Sequence, residues 1–134
     1  MRKSNYDKFP ATAISGTLFL GWDEVRQALK EVLLHNRVLA VDCYTGVYEE
    51  ELLRELSVLG ARVLSVNACY KSEECVRQMT ERFMTDDVLF GYVTNLTLDD
   101  YFEKEKLAAM RREISESTDP VIVLGTGAHK VAPE

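Results

Sequence analysis

The sequence predicts an α/β domain: a small three-layer unit with a parallel sheet of about three strands, P-loop-like or Rossmann-like, and helices on both faces. Three observations carry that expectation. Short β-prone runs, Val38 to Asp42, Arg62 to Val66 and Val121 to Leu124, alternate with stretches of helical periodicity. Strand and helix in alternation form βαβ units, which build parallel sheets. The last run, Val121-Ile-Val-Leu124, is apolar throughout, as a parallel strand covered on both faces should be.

Taken in order, Met1 to Pro10 is polar with an aromatic pair, Tyr6 and Phe9, and reads as an extended arm. The arm as a whole covers residues 1–20, ahead of an α/β domain over 21–134. Within it, Ala11 to Ile14 is a candidate short edge strand before Gly16. From Trp22, the apolar positions Val25, Leu29, Val32 and Leu33 fall on one helical face, with Asp23, Glu24, Arg26, Lys30 and Glu31 opposite. That helix is expected to end near His35-Asn36, with Asn36 in a left-handed cap. Strand one follows, then a turn holding Gly46, then a helix from about Tyr48 to Leu59 opened by Glu49, Glu50 and Glu51. Leu52, Leu53, Leu56 and Leu59 are its buried stripe.

Strand two is Arg62 to Val66. Its continuation, Asn67-Ala-Cys-Tyr70, faintly echoes Asp42-Cys-Tyr44 after strand one. Ser72 is a good amino-terminal cap for the next helix. Val88 to Thr97 is apolar and β-prone, either strand or an ordered loop over the sheet. Thr97 opens a short turn through Phe102, and Glu103 to Ser115 is a strong helix with Leu107, Met110 and Ile114 inward. Ser117-Thr-Asp-Pro120 breaks it before strand three, which runs into Gly125-Thr-Gly-Ala-His-Lys130. Strand three lies either between strands one and two, as in P-loop folds, or outside strand one, as in flavodoxin-like folds. A chain stopping just past this turn suggests a piece of a longer multidomain protein.

Composition narrows the function. With 134 residues the chain is one domain, and 46% hydrophobic with 28% charged residues is ordinary for a globular protein. A net charge of −6 argues against a nucleic-acid surface, which needs clustered Lys and Arg. The three cysteines, Cys43, Cys69 and Cys75, show no Cys-x-x-Cys and no zinc spacing, so reduced, mostly buried thiols are expected. The run Ala11 to Trp22 is too interrupted for a signal peptide and too short for a membrane span. A cytoplasmic protein with no membrane partner is the expectation.

Ligands in open α/β sheets bind where strand carboxyl ends meet helix amino ends. The turn after strand one has a phosphate loop's position but not its chemistry. It holds Thr45 and one glycine, Gly46, and carboxylates follow where Lys and Ser/Thr belong. Those acids suit a helix amino terminus and repel phosphates. Tyr44 and Tyr48 offer faces for a ring or simply pack. Gly125-Thr126-Gly127 is the better anion candidate, because two glycines let backbone N–H groups converge, with His129 and Lys130 as further donors. Asp42 and Asn67 sit at strand ends, suited to a magnesium-bound water, a ribose hydroxyl or a local cap. The pairs Asp86-Asp87 and Asp99-Asp100 read as caps and solvated surface. No Ser/His/Asp or Cys/His set can be nominated from His35 and His129.

Several stretches together resemble one known segment. They are Ser4-Asn-Tyr-Asp-Lys-Phe-Pro10, Gly21-Trp-Asp23, Val41-Asp-Cys-Tyr-Thr-Gly-Val47, Thr85-Asp-Asp-Val-Leu-Phe-Gly-Tyr92, Leu98-Asp-Asp-Tyr-Phe102 and Val123-Leu-Gly-Thr-Gly-Ala128 with Ala132-Pro133. The segment is the amino-terminal region of gut-bacterial-type proteins known as class I mannose-6-phosphate isomerases. The resemblance covers nearly the whole chain, in order. It implies a kinase-type P-loop fold with a lost nucleotide motif, preceding a zinc-dependent cupin domain that carries the isomerase chemistry. None of that cupin's ligands is in this sequence, so no cofactor is expected in this segment. The implied role is a non-catalytic binding, regulatory or docking domain, partnered by its own C-terminal domain, a sugar phosphate or a nucleotide. A divergent nucleotide-binding or small-molecule kinase domain using the Gly125 turn, Lys130 and Asp42 is the alternative, and a purely structural assembly module is a third.

Overall fold

The computed structural model describes residues 9–132. The expected arm over Met1 to Pro10, Phe9 and Pro10 apart, lies outside the described residues, as does Pro133. The elements follow in the order α1 (Gly21–His35), β1 (Val38–Asp42), α2 (Glu49–Ser57), β2 (Arg62–Ser65), α3 (Glu73–Glu81), α4 (Lys104–Glu116) and β3 (Val121–Gly125). Short 3₁₀ turns stand at Val66–Cys69, Leu98–Tyr101 and Ala128–Lys130.

The sheet is parallel throughout, in the order β1-β3-β2. Val121 is level with Val38 on one side and Arg62 on the other, and Gly125 is level with Asp42. Of the two orders open in the sequence, β3 between its partners is the one formed. Side-chain alternation then builds two cores. Val121 and Val123 point to one face, where Leu107, Met110 and Ile114 of α4 meet Val66, Cys69 and Phe102. Ile122 and Leu124 point to the other, where Leu29 and Leu33 of α1 meet Leu52 and Leu56 of α2 and the buried Cys43. Helices therefore cover both faces, and every residue of β3 is buried. The expected α/β fold is the observed one.

Five expectations are corrected. Leu53, expected in the buried stripe of α2, is exposed. Ala11 to Ile14 forms no strand; it is exposed and hydrogen-bonds to no strand of the sheet. Asn36 ends α1 in extended rather than left-handed backbone, because its backbone N–H (2.9 Å) and side-chain amide (3.0 Å) both donate to the Val32 carbonyl. Val66 leaves β2 for a 3₁₀ turn, where Ser65 Oγ accepts from the Asn67 N–H at 3.3 Å. The run from Val88 is neither a strand nor a cover for the sheet. Asp87 Oδ1 accepts from the Leu89 and Phe90 N–H groups at 2.8 and 3.0 Å, so the backbone turns locally and points Val88 and Val93 into solvent, 98% and 97% exposed.

The caps at Ser72 and Thr97 match the sequence. Ser72 Oγ accepts from Cys75 N–H at 3.3 Å, and Asp100 Oδ2 accepts from both the N–H and the hydroxyl of Thr97. Those bonds hold the Asp100 carboxyl below the usual range. Cys43, Cys69 and Cys75 are free thiols, two of them buried. Among the described residues, no helix is long and apolar enough to cross a membrane.

Candidate functional site at the strand carboxyl ends

Three strand ends meet at the top of the sheet, and the turn after β3 is the best-packed part of it. Gly127 stands in left-handed backbone at φ 86°, and a Cβ there would come within 2.8 Å of Phe102 Cζ. Gly125, at φ 123°, has Val66 Cγ1 and Asn67 Oδ1 at 2.9 and 3.1 Å from the same imagined atom. Both positions therefore need glycine for conformation and for space.

Two backbone donors of this turn, the Gly127 and His129 N–H groups, are engaged by a carboxylate. Asp42 Oδ1 accepts from the Gly127 N–H at 2.9 Å, Oδ2 accepts from the His129 N–H at 3.4 Å, and the His129 ring Nδ1 contacts Oδ2. Partial burial pushes the Asp42 carboxyl up. The His129 ring, the Gly127 and His129 amides and the imidazole charge together outweigh it, holding the group below the usual range. The nest expected to hold an external anion thus holds the chain's own carboxylate. Lys130, the expected cation, pairs instead with Asp99 at 2.9 Å.

The start of α2 is closed in the same way. Asn67 Nδ2 donates to Glu49 Oε2 at 2.6 Å, linking the end of β2 to the first turn of α2 across Gly125. Tyr70 donates its hydroxyl to the Thr126 carbonyl at 2.9 Å and stacks on Phe102 with centroids 4.4 Å apart. Burial raises the Tyr70 phenol above its ordinary value, with Glu49 and Asp42 adding to the effect.

Between these features lies a cleft of about 400 Å³, lined by Tyr44, Thr45, Gly46, Val47, Glu49, Tyr70, Leu98, Tyr101 and Thr126. It contains aromatic faces, hydroxyls and one carboxylate, but no cation. Of the residues nominated from sequence, Tyr44, Thr45, Gly46 and Thr126 line it, and Asp42, Asn67, Gly125, Gly127 and His129 make up the hydrogen-bonded floor beside it. Lys130 points away to Asp99. Tyr44 and Tyr48 are 86% and 82% exposed, so they are not packing residues. Leu98, Phe102 and Tyr70 escaped the sequence reading. The antiparallel bridge between Tyr70 and Phe102 joins two loops far apart in sequence, and an echo of Cys-Tyr after each strand was its sole signal.

The apolar surface elsewhere is larger. Leu18 (75%), Leu20 (69%) and Leu34 (80%) are exposed around α1, and Leu89, Phe90 and Tyr92 join Val88 and Val93 on the loop before the Leu98 turn. Among the described residues, no group of three or more His, Cys, Asp or Glu side chains is placed to hold a metal ion.

Fold and site together define a small open α/β domain in which the Gly127 and His129 N–H groups are bonded to the chain's own Asp42. The chain belongs to the family described as Domain of unknown function (DUF8485), whose model matches residues 21–134, from the first residue of α1 onward. No curated protein gives a match, and neither does any solved structure.

Proposed function

We propose that this chain is a non-catalytic docking domain of a mannose-6-phosphate isomerase-like protein, serving sugar-phosphate metabolism by holding a neighbouring domain in place. The aldose–ketose chemistry and its zinc belong to a cupin domain outside this sequence. The ordered run of motifs from Ser4 to Pro133 supports the isomerase-type setting. One observation carries the docking role: large apolar side chains stand in solvent at Leu18, Leu20, Leu34, Val88, Leu89 and Val93, while the groups suited to phosphate are bonded to Asp42 and Asp99. Exposed apolar side chains grouped around α1 and along the loop from Val88 to Val93 support a contact role. Phosphoryl transfer needs cations on the migrating group, and none faces the cleft.

A divergent nucleotide-binding domain is the second reading. What favours it is the strand order, with β3 between β1 and β2, and the two required glycines after β3.

The test is to titrate a zinc cupin domain of that isomerase type into the protein by calorimetry. Thermal melts with Mg-ATP, Mg-GTP, mannose 6-phosphate and fructose 6-phosphate run beside it. Docking predicts saturable association, weakened by Leu18→Asp or Val88→Asp, and no melting shift with the small molecules. A nucleotide at a hundredfold excess over its Kd would add about 2.7 kcal/mol, and such a shift replaces the docking reading with the second one. A shift with a sugar phosphate alone would make the cleft a sensor site instead.

A further inference from the structure

The outer side of α1 forms a groove of about 890 Å³, walled by residues Thr17 to Phe19 on one side and by the helix from Glu24 to its cap at Asn36 on the other. At about 1.5 Å per residue the helix wall runs for roughly 18 Å, the length of three helical turns. α1 has fifteen residues and none of them is buried. Its inner stripe, Leu29 and Leu33, meets the sheet, while Val32 (40%) and Leu34 (80%) face outward with Leu18 (75%) and Phe19 (48%) across the groove.

The charge of the groove selects its occupant. Glu24 and Glu31 line it, with His35 at one end, and neither Lys nor Arg does. The Glu24 carboxylate accepts one bond, from the Leu20 N–H at 2.7 Å, and Glu31 makes none among the described residues. Anionic lipid is repelled by such a surface. So is the apolar loop of a second copy, because Val88 to Phe90 would carry Asp86 and Asp87 to the two glutamates.

Building on the docking role, we propose that the groove along α1 receives an amphipathic helix of a partner protein, apolar along one stripe and carrying Lys or Arg on its flank. The apolar stripe fills the space between Phe19 and Val32, and the basic flank meets Glu24 and Glu31. This is the helix-in-groove mode of recognition, with anchors at three- and four-residue steps.

Two synthetic helices of about four turns test it. Both carry leucines at those steps; one has lysine flanks and the other glutamate flanks. Binding is measured by fluorescence polarisation at low salt, and amide shifts map the contact. The lysine peptide is expected to bind at least tenfold more tightly, with shifts along α1 and Thr17 to Leu20. Val32→Asp should abolish binding without changing the circular dichroism, and the Glu24→Lys, Glu31→Lys double variant should invert the preference. Equal binding of the two peptides, shifts confined to other elements, or sedimentation showing a dimer that Val32→Asp dissolves would overturn the proposal. Cupin association lost in Val88→Asp but intact in Leu18→Asp and Val32→Asp would strike this inference alone. Absence of any cupin association would strike the docking role itself.

Discussion

The chain leaves β1 through Cys43-Tyr44 and reaches the end of its β2 turn at Cys69-Tyr70, and the same dipeptide meets opposite fates. Both thiols are buried, on opposite faces of the sheet: Cys43 against Leu56, Ile122 and Leu124, Cys69 against Phe102 and Met110. Burial raises both above the ordinary thiol value. The tyrosines differ completely. Tyr44 is 86% exposed, whereas Tyr70 is stacked, hydrogen-bonded and half-buried. The difference is a roof. Past β2, the Lys71 N–H donates to the Tyr101 carbonyl and the Glu103 N–H to the Cys69 carbonyl, both at 2.9 Å, so the Leu98–Phe102 segment lies over the turn. Past β1, no segment among the described residues plays that part. A dipeptide sets what can be buried, and a distant segment decides whether it is.

Removing the roof should have the largest effect. Phe102 is 2% exposed and touches both Tyr70 and the space above Gly127. Phe102→Ala should cost about 3–5 kcal/mol in urea unfolding, against less than about 0.5 kcal/mol for Tyr44→Ala. Equal losses would erase the comparison. Next come the glycines of the two open-ended turns. Gly127→Ala combines left-handed backbone with a 2.8 Å clash on Phe102, while Gly46, at φ 94°, has open space around it. About 2–4 kcal/mol is expected for Gly127→Ala and about 1 kcal/mol for Gly46→Ala, read from the same midpoints.

A finer probe is the single hydroxyl. Tyr70→Phe deletes the donor to the Thr126 carbonyl and should cost about 1 kcal/mol; Tyr44→Phe should leave the midpoint unchanged. The smallest effect is the acid dependence of the Asp42 floor. Because the folded carboxyl is held below its unfolded value, its contribution is complete above about pH 4 and is lost as pH falls through the folded value. The side chain is 41% exposed, so solvent screening keeps the term below about 1 kcal/mol. The stability gap between the wild type and Asp42→Asn should therefore stand at pH 5 and close toward pH 3. A gap that widens on acidification would mean that the carboxyl is not the group holding the turn.

The sequence was most legible where short-range signals decided the outcome. The limits of β1, the uniformly apolar run of β3, the inner stripe of α4 and the caps at Ser72 and Thr97 follow from local pattern and local hydrogen bonds. The site was legible as a place and not as a chemistry. Gly125-Thr-Gly reads as an anion nest because two glycines free its amides, but Asp42, which takes those amides, lies at the end of another strand. Lys130 reads as a phosphate donor until Asp99 is seen beside it. The apolar run from Val88 misled for a related reason: β-propensity describes fit to a half-buried pleated surface, and the Asp87 turn places the run away from any.

The place of β3 has a consequence for synthesis. β1 and β2 pair with β3 and not with each other, so a growing chain that has reached residue 120 holds two strands and no sheet. Each waits with apolar side chains on both faces and both ladder edges open, and the partner they share is the last of the three to be made. Loop closure from Val38 to Val121 precedes any reward, which makes folding slow and late rather than stepwise. During that interval the apolar faces of both strands stay open to non-native contacts, and the moment of commitment is the emergence of five consecutive buried residues, Val121 to Gly125.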